Sequence, residues 1–125
     1  MLDLFIYYDG EIDDIAEKIS ELLGVSLKKE INEFGEDYYM FRFLDIEFVF
    51  YGDHGMEDDC GIIFSEYNYQ IQILKLYSGQ KYKSYNKMYN DIAEFLMENL
   101  SYELNANVML VDNLQTIVMS SVPVK

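Results

Sequence analysis

Apolar positions along this chain follow two periods, and the switches between them mark its elements. Leu2 to Tyr8 is a short apolar run closed by Asp9-Gly10 and predicts a first strand. Ile12, Ile15, Ala16, Ile19, Leu22 and Leu23 then recur at helical spacing, which predicts a helix over about residues 10–23. Asp9 suits the N-cap, since its carboxylate can accept from free amides of the first turn. Glu11, Asp13 and Asp14 suit the positive helix end, and Gly24 suits a left-handed stop. The outer face (Asp13, Asp14, Glu17, Lys18, Glu21) reads as solvated surface. Val25 to Gly35 is ambiguous: Leu27, Ile31 and Phe34 can line one side of a short helical turn.

Period two takes over after Gly35. Asp37 to Leu44 and Ile46 to Tyr51 are rich in aromatic and β-branched residues, and a hairpin turning near Leu44-Asp45 is predicted. Ile46, Phe48 and Phe50 share one face and Glu47, Val49 and Tyr51 the other, so at least one of these strands is interior or partly covered. Next comes an acidic loop, Gly52 to Gly61, read as a charged tip at the sheet edge. Gly61 to Ser65 and Tyr67 to Tyr77 resume the strand pattern. In the longer run Tyr67, Tyr69, Ile71 and Ile73 alternate with Asn68, Gln70 and Gln72, which predicts a half-buried strand whose amide row meets solvent or a partner. Ser78 to Lys83 reads as a loop. The basic cluster there (Lys75, Lys81, Lys83, Lys87) reads as internal charge balance.

Ser84 suits the N-cap of a second helix over about residues 85–100, with Tyr85, Met88, Tyr89, Ile92, Leu96 and Leu100 as its inward stripe. Ala106 to Val111 and Leu114 to Met119 read as a final hairpin through Asp112-Asn113. Pro123 keeps the tail from pairing as an interior strand. The order β-α-β-β-β-β-α-β-β does not alternate strictly, so a doubly wound parallel sheet is not expected. The prediction is a single α+β domain over residues 1–125, with an antiparallel or mixed sheet of about six to seven strands and two helices packed on one face.

Composition adds a constraint on partners. The net charge is −14, and it is unevenly placed: residues 1–74 hold 18 acidic and 4 basic residues, whereas residues 75–125 hold 5 of each. Such a surface disfavours nucleic acid or an anionic membrane as direct partner, because phosphates are bound by Lys and Arg, and it favours a basic protein. With half the residues apolar, the chain is not a disordered acidic tail. Cys60 is the lone cysteine, so no internal disulfide forms. The N-terminal residues lack the pattern of a signal peptide, and no apolar run approaches the roughly 20 residues that span a bilayer. A cytoplasmic protein is expected.

Catalytic signatures are weak. His54 stands beside Asp53 and near Asp58, Asp59 and Cys60, an arrangement a hydrolase or metal-dependent enzyme would use through His54 and neighbouring carboxylates. One His and one Cys fall short of a structural zinc set, and the spacing D-H-G-M-E-D-D is not that of an EF-hand loop. Asp59 beside Cys60 raises rather than lowers a thiol pKa. Neither cofactor nor metal is predicted, and a non-enzymatic role is preferred. A structural or adaptor module is the other alternative.

The remaining pattern is carboxylates beside tyrosines. Asp53, Glu57, Asp58, Asp59 and Glu66, with Tyr67 and Tyr69, form a set suited to docking a cationic site, since carboxylates pair with Lys and Arg while tyrosine adds contact area and a polar tip. The stretch FRFLDIEFVFYGDHGMEDDCGIIFSEYNYQI, within a small acidic chain that lacks a catalytic set, resembles the CdiI-type immunity proteins of contact-dependent growth inhibition and other bacterial polymorphic toxin systems. That resemblance implies a cytoplasmic protein, most simply a monomer. It would bind a cognate basic toxin domain, often a nuclease, and neutralise it by occluding its active site.

Overall fold

The computed structural model describes residues 1–52, 54–77 and 83–123. Among the described residues, seven strands form one antiparallel sheet: β1 (Leu2–Tyr7), β2 (Lys29–Ile31), β3 (Asp37–Phe43), β4 (Ile46–Gly52), β5 (Tyr69–Lys75), β6 (Asn107–Asp112) and β7 (Thr116–Ser121). Their spatial order is β2-β3-β4-β5-β1-β6-β7. Helices α1 (Ile12–Leu23) and α2 (Lys83–Leu104) pack on one face of it, giving the α+β architecture expected, with every strand pair antiparallel rather than mixed.

The helix-side core follows from alternation. Leu4 and Ile6 of β1, Phe48 and Phe50 of β4, Ile71 and Ile73 of β5 and Leu110 of β6 all point to this side and meet Ile15 and Ile19 of α1 and Leu96 and Leu100 of α2. Aromatic pairs reinforce the ladder between β3 and β4. Tyr39 stacks on Phe50 and Phe41 on Phe48, with ring centroids 4.8 and 4.7 Å apart.

Tyrosine hydroxyls tie the layers together. Tyr89 is buried in α2; its hydroxyl donates to the Ile73 carbonyl and accepts from the Leu2 amide, closing the end of the β1–β5 ladder. Tyr39 donates to Asp13 of α1, and Tyr69 donates to the Gly10 carbonyl. Burial and the Asp13 bond push the Tyr39 hydroxyl up to about 12, and burial does the same for Tyr89.

Several local expectations are corrected. The N-cap of α1 is Glu11 rather than Asp9; the Asp14 carboxylate accepts from the Glu11 amide at 3.3 Å and from the Tyr8 hydroxyl at 2.8 Å. Gly24 is left-handed (φ 67°) as predicted. Residues 29–31 form an edge strand on β3, not a helical turn. Helix α2 runs from Lys83 to Leu104, so Ser84 lies inside its first turn, and Ala93 and Met97 join the buried stripe. Tyr85, Met88 and Ile92 pack only partly against the core. The hairpin at Leu44-Asp45 forms, both residues adopting positive φ (51° and 60°), the geometry that matches strand twist in a two-residue turn. The loop at Ser78 to Lys83 and Lys81 of the basic cluster lie, apart from Lys83, outside the described residues.

The other face of the sheet divides in two. On β1 and β6, Phe5, Met109 and Val111 are apolar and covered by Ile62 and Phe64 of the β4–β5 connection. On β3 and β4, Tyr38, Met40, Val49 and Tyr51 have no such cover. Gln70 marks the divide. The amide row of β5 was expected to meet solvent or a partner, but Gln70 is only 2% exposed. Its Nε2 donates to Asp3 Oδ1 at 3.0 Å and its Oε1 accepts from the Tyr51 hydroxyl at 3.0 Å. Period two places Gln70 on this face; the burial comes from chain elsewhere, which β5 alone does not reveal.

Candidate acidic docking site

The connection between β4 and β5 carries the predicted site. It is not a tip projecting from the sheet edge. It folds back across the sheet and seals β1 and β6, with Phe64 fully buried at 4.8 Å from the Phe5 ring. Residues 61–65 were expected to be a strand. Instead, Asp59 and Ile62 exchange backbone hydrogen bonds across Cys60-Gly61, both with positive φ, and Phe64–Glu66 forms a 3-10 turn. The apolar residues in this stretch serve as a plug, so their pattern resembles a strand without a ladder to join.

His54 locks the connection. Its Nδ1 accepts from the Met56 amide at 2.9 Å, which leaves Nε2 to donate to the Tyr67 carbonyl at 2.7 Å. The ring also meets Phe5 edge-on at 5.3 Å. Both nitrogens are therefore engaged with backbone. Among the described residues, no group of three His, Cys, Asp or Glu side chains is placed to hold a metal ion.

The carboxylates face outward from this anchored body. Glu57, Asp58 and Asp59 line a cleft of about 570 Å³ between the connection and the β6–β7 turn at Asn113–Gln115. All three are exposed, as are Cys60 and Glu66. Their roles differ. Asp58 accepts from the Ser65 amide (2.9 Å) and hydroxyl (3.1 Å), which holds the 3-10 turn in place. Asp59 accepts from the Cys60 amide. Glu57 and Glu66 have no ion-pair partner among the described residues.

The structure thus assembles part of the predicted set. Glu57, Asp58, Asp59 and Glu66 lie on one connection. Tyr67 is half-buried and packs inward against the covered apolar cluster, where burial raises its hydroxyl pKa. Tyr69 lies on the opposite, helix-side face and belongs to the core around α1, so it does not share the acidic surface. Alternation groups Tyr69 with Ile71 and Ile73, and the structure keeps it on their face; only its nearness to Glu66 along the chain placed it in the docking set, whereas Tyr67, before β5 begins, is the residue that departs from the alternation. Asp53 lies outside the described residues. What sequence reading missed was the Asp3-Gln70-Tyr51 chain; an acid among the apolar residues of the first strand was its one visible sign.

Comparison of the chain with protein-family models, with curated proteins and with solved structures gives no match. Among the described residues, no helix is long and apolar enough to cross a membrane.

Proposed function

We propose that this protein is a cytoplasmic, non-enzymatic immunity protein that binds a cationic toxin domain, a nuclease in the simplest case, and blocks its active site. The observation that carries the reading is the acidic connection itself. Its carboxylates are held outward by a buried plug, Ile62 and Phe64, and by a histidine whose nitrogens both serve the backbone. An anchored acidic surface suits a phosphate-binding cleft lined with Lys and Arg, because pre-ordering lowers the entropy lost on docking and charge speeds encounter. The net charge of −14 supports the same partner class.

The test has a genetic and a physical arm. Growth arrest by the basic C-terminal domain of a large secreted protein encoded immediately upstream should be relieved when this protein is co-expressed. A metabolic operon at that position, or arrest that persists, overturns the reading. For the purified pair, Glu57→Gln, Asp59→Asn and Glu66→Gln together should slow association at least tenfold at low salt and less at high salt, with Asp58 left in place because it holds the turn.

A further inference from the structure

The open half of the second sheet face carries a groove separate from the acidic cleft. Its volume is about 370 Å³, its floor is Tyr38, Val49 and Tyr51, and its wall is the turn from Asn32 to Glu36. That turn is tightly built. The Asn32 carboxamide oxygen accepts from the Phe34 and Glu36 amides, both at 2.9 Å, and the Asn32 amide donates to the Glu36 carbonyl at 2.9 Å. Such a turn presents Phe34, a residue 78% exposed. A large aromatic held in water by an ordered turn has surface to give a partner.

The floor is fixed as well. The Tyr51 hydroxyl is tied to Gln70, and Gln70 to buried Asp3, so the ring cannot swing away. Around this apolar floor the described charges are mostly acidic. Glu36 and Asp37 line the groove, and Glu36 has no ion-pair partner among the described residues, whereas Asp37 faces Lys29 at 3.7 Å. On the same sheet face Arg42 lies 3.9 Å from Glu47. Apolar floor, exposed aromatic and free carboxylate together match one chemistry: a long cationic side chain whose stem covers the rings while its head meets the acid.

We infer that the groove formed by Phe34, Tyr38, Val49 and Tyr51 docks an arginine-bearing apolar segment of the partner protein, with the guanidinium against Glu36. This rests on the reading of the partner as cationic, and it supplies a second contact on the same sheet face as the acidic connection. An arginine fits better than a lysine because its planar head can stack on tyrosine while pairing with a carboxylate.

A peptide titration tests the groove without the toxin, so its failure is distinguishable from failure of the immunity reading. The probe is acetyl-Gly-Arg-Leu-Gly-amide, added to the full chain at physiological salt while ring and amide resonances are followed by NMR. Saturable shifts at Phe34, Tyr38 and Tyr51 are expected, and replacing arginine by neutral citrulline should weaken binding at least tenfold. Phe34→Ala with Glu36→Gln should weaken it at least tenfold, whereas Glu57→Gln with Asp59→Asn should change it less than twofold. Should the double groove variant lose its fold, Glu36→Gln alone, at an exposed position, must weaken binding at least threefold. Shifts confined to residues 57–59, equal binding of the citrulline peptide, or unchanged binding by the groove variants would each overturn the inference.

Discussion

On β1 and β6 the second sheet face carries Phe5, Met109 and Val111 beneath Ile62 and Phe64; on β3 and β4 it carries Tyr38, Met40, Val49 and Tyr51, which the described residues leave partly or fully exposed. Both regions show the same alternation, and both are largely apolar. They differ in what is mixed in. The open region includes Arg42 and Glu47, which pair with each other, and its tyrosines keep a polar edge. Between the two runs the seam of Asp3, Gln70 and Tyr51, linked by hydrogen bonds through the Gln70 carboxamide. Covering one region gives the domain a second core. Leaving the other open gives it a surface.

That contrast breaks first at the plug. Phe64→Ala removes a fully buried ring and should cost about 3–5 kcal/mol in chemical denaturation, with proteolysis of residues 54–68 rising sharply. The matching change in the open region, Met40→Ala at a side chain 47% exposed, should stay within about 0.5 kcal/mol. Equal costs at the two positions would mean that the faces are not distinct.

The seam gives a pH-dependent prediction of intermediate size. Burial raises the Asp3 carboxyl to about 6, opposed in part by the Gln70 hydrogen bond and the N-terminal ammonium, and its Oδ2 has no described partner. Between the ordinary value of 3.8 and about 6, the folded protein holds a proton that the unfolded chain has released. Stability therefore falls as pH rises through that interval, by on the order of 2–3 kcal/mol. Asp3→Asn should flatten this dependence and raise stability above pH 6, measured by denaturation across pH. An unchanged slope in the variant would remove Asp3 as its source.

A smaller effect is expected at His54. Replacing it with Ala removes two backbone hydrogen bonds and an aromatic edge contact, for about 1–2 kcal/mol, and should speed amide exchange at Met56 more than at strand positions of β4. If exchange at Met56 is unaffected, the histidine does not secure the connection.

Much of this architecture is legible in residue order because it is local. The helical spacing from Ile12 to Leu23, the stop at Gly24 and the turn at Leu44-Asp45 each depend on neighbours within a few positions, and the last hairpin is legible too, although its turn falls at Asn113-Leu114 rather than Asp112-Asn113 and its second strand begins at Thr116. The misread parts depend on distant chain. Gly61 to Ser65 has strand composition but is consumed as a plug over Phe5, and β2 has only three residues whose pairing comes from β3. The candidate site split for a simpler reason. Glu57, Asp58, Asp59 and Glu66 stay together because they share one connection, whereas Tyr69 keeps the face of Ile71 and Ile73 on β5.

The buried hydroxyls of Tyr39 and Tyr89 also make the fold its own optical reporter. The chain has twelve tyrosines and no tryptophan, so its near-ultraviolet absorption and emission are tyrosine signals without a dominant indole to drain them. Both hydroxyls are held neutral up to about pH 12, whereas an unfolded chain ionises its tyrosines near 10. Their contribution to stability is full below pH 10 and fades as pH climbs toward 12. Alkaline titration read at the phenolate band therefore ends in a late, cooperative step, and the pH of that step follows the integrity of the joint between the helices and the sheet with no label attached.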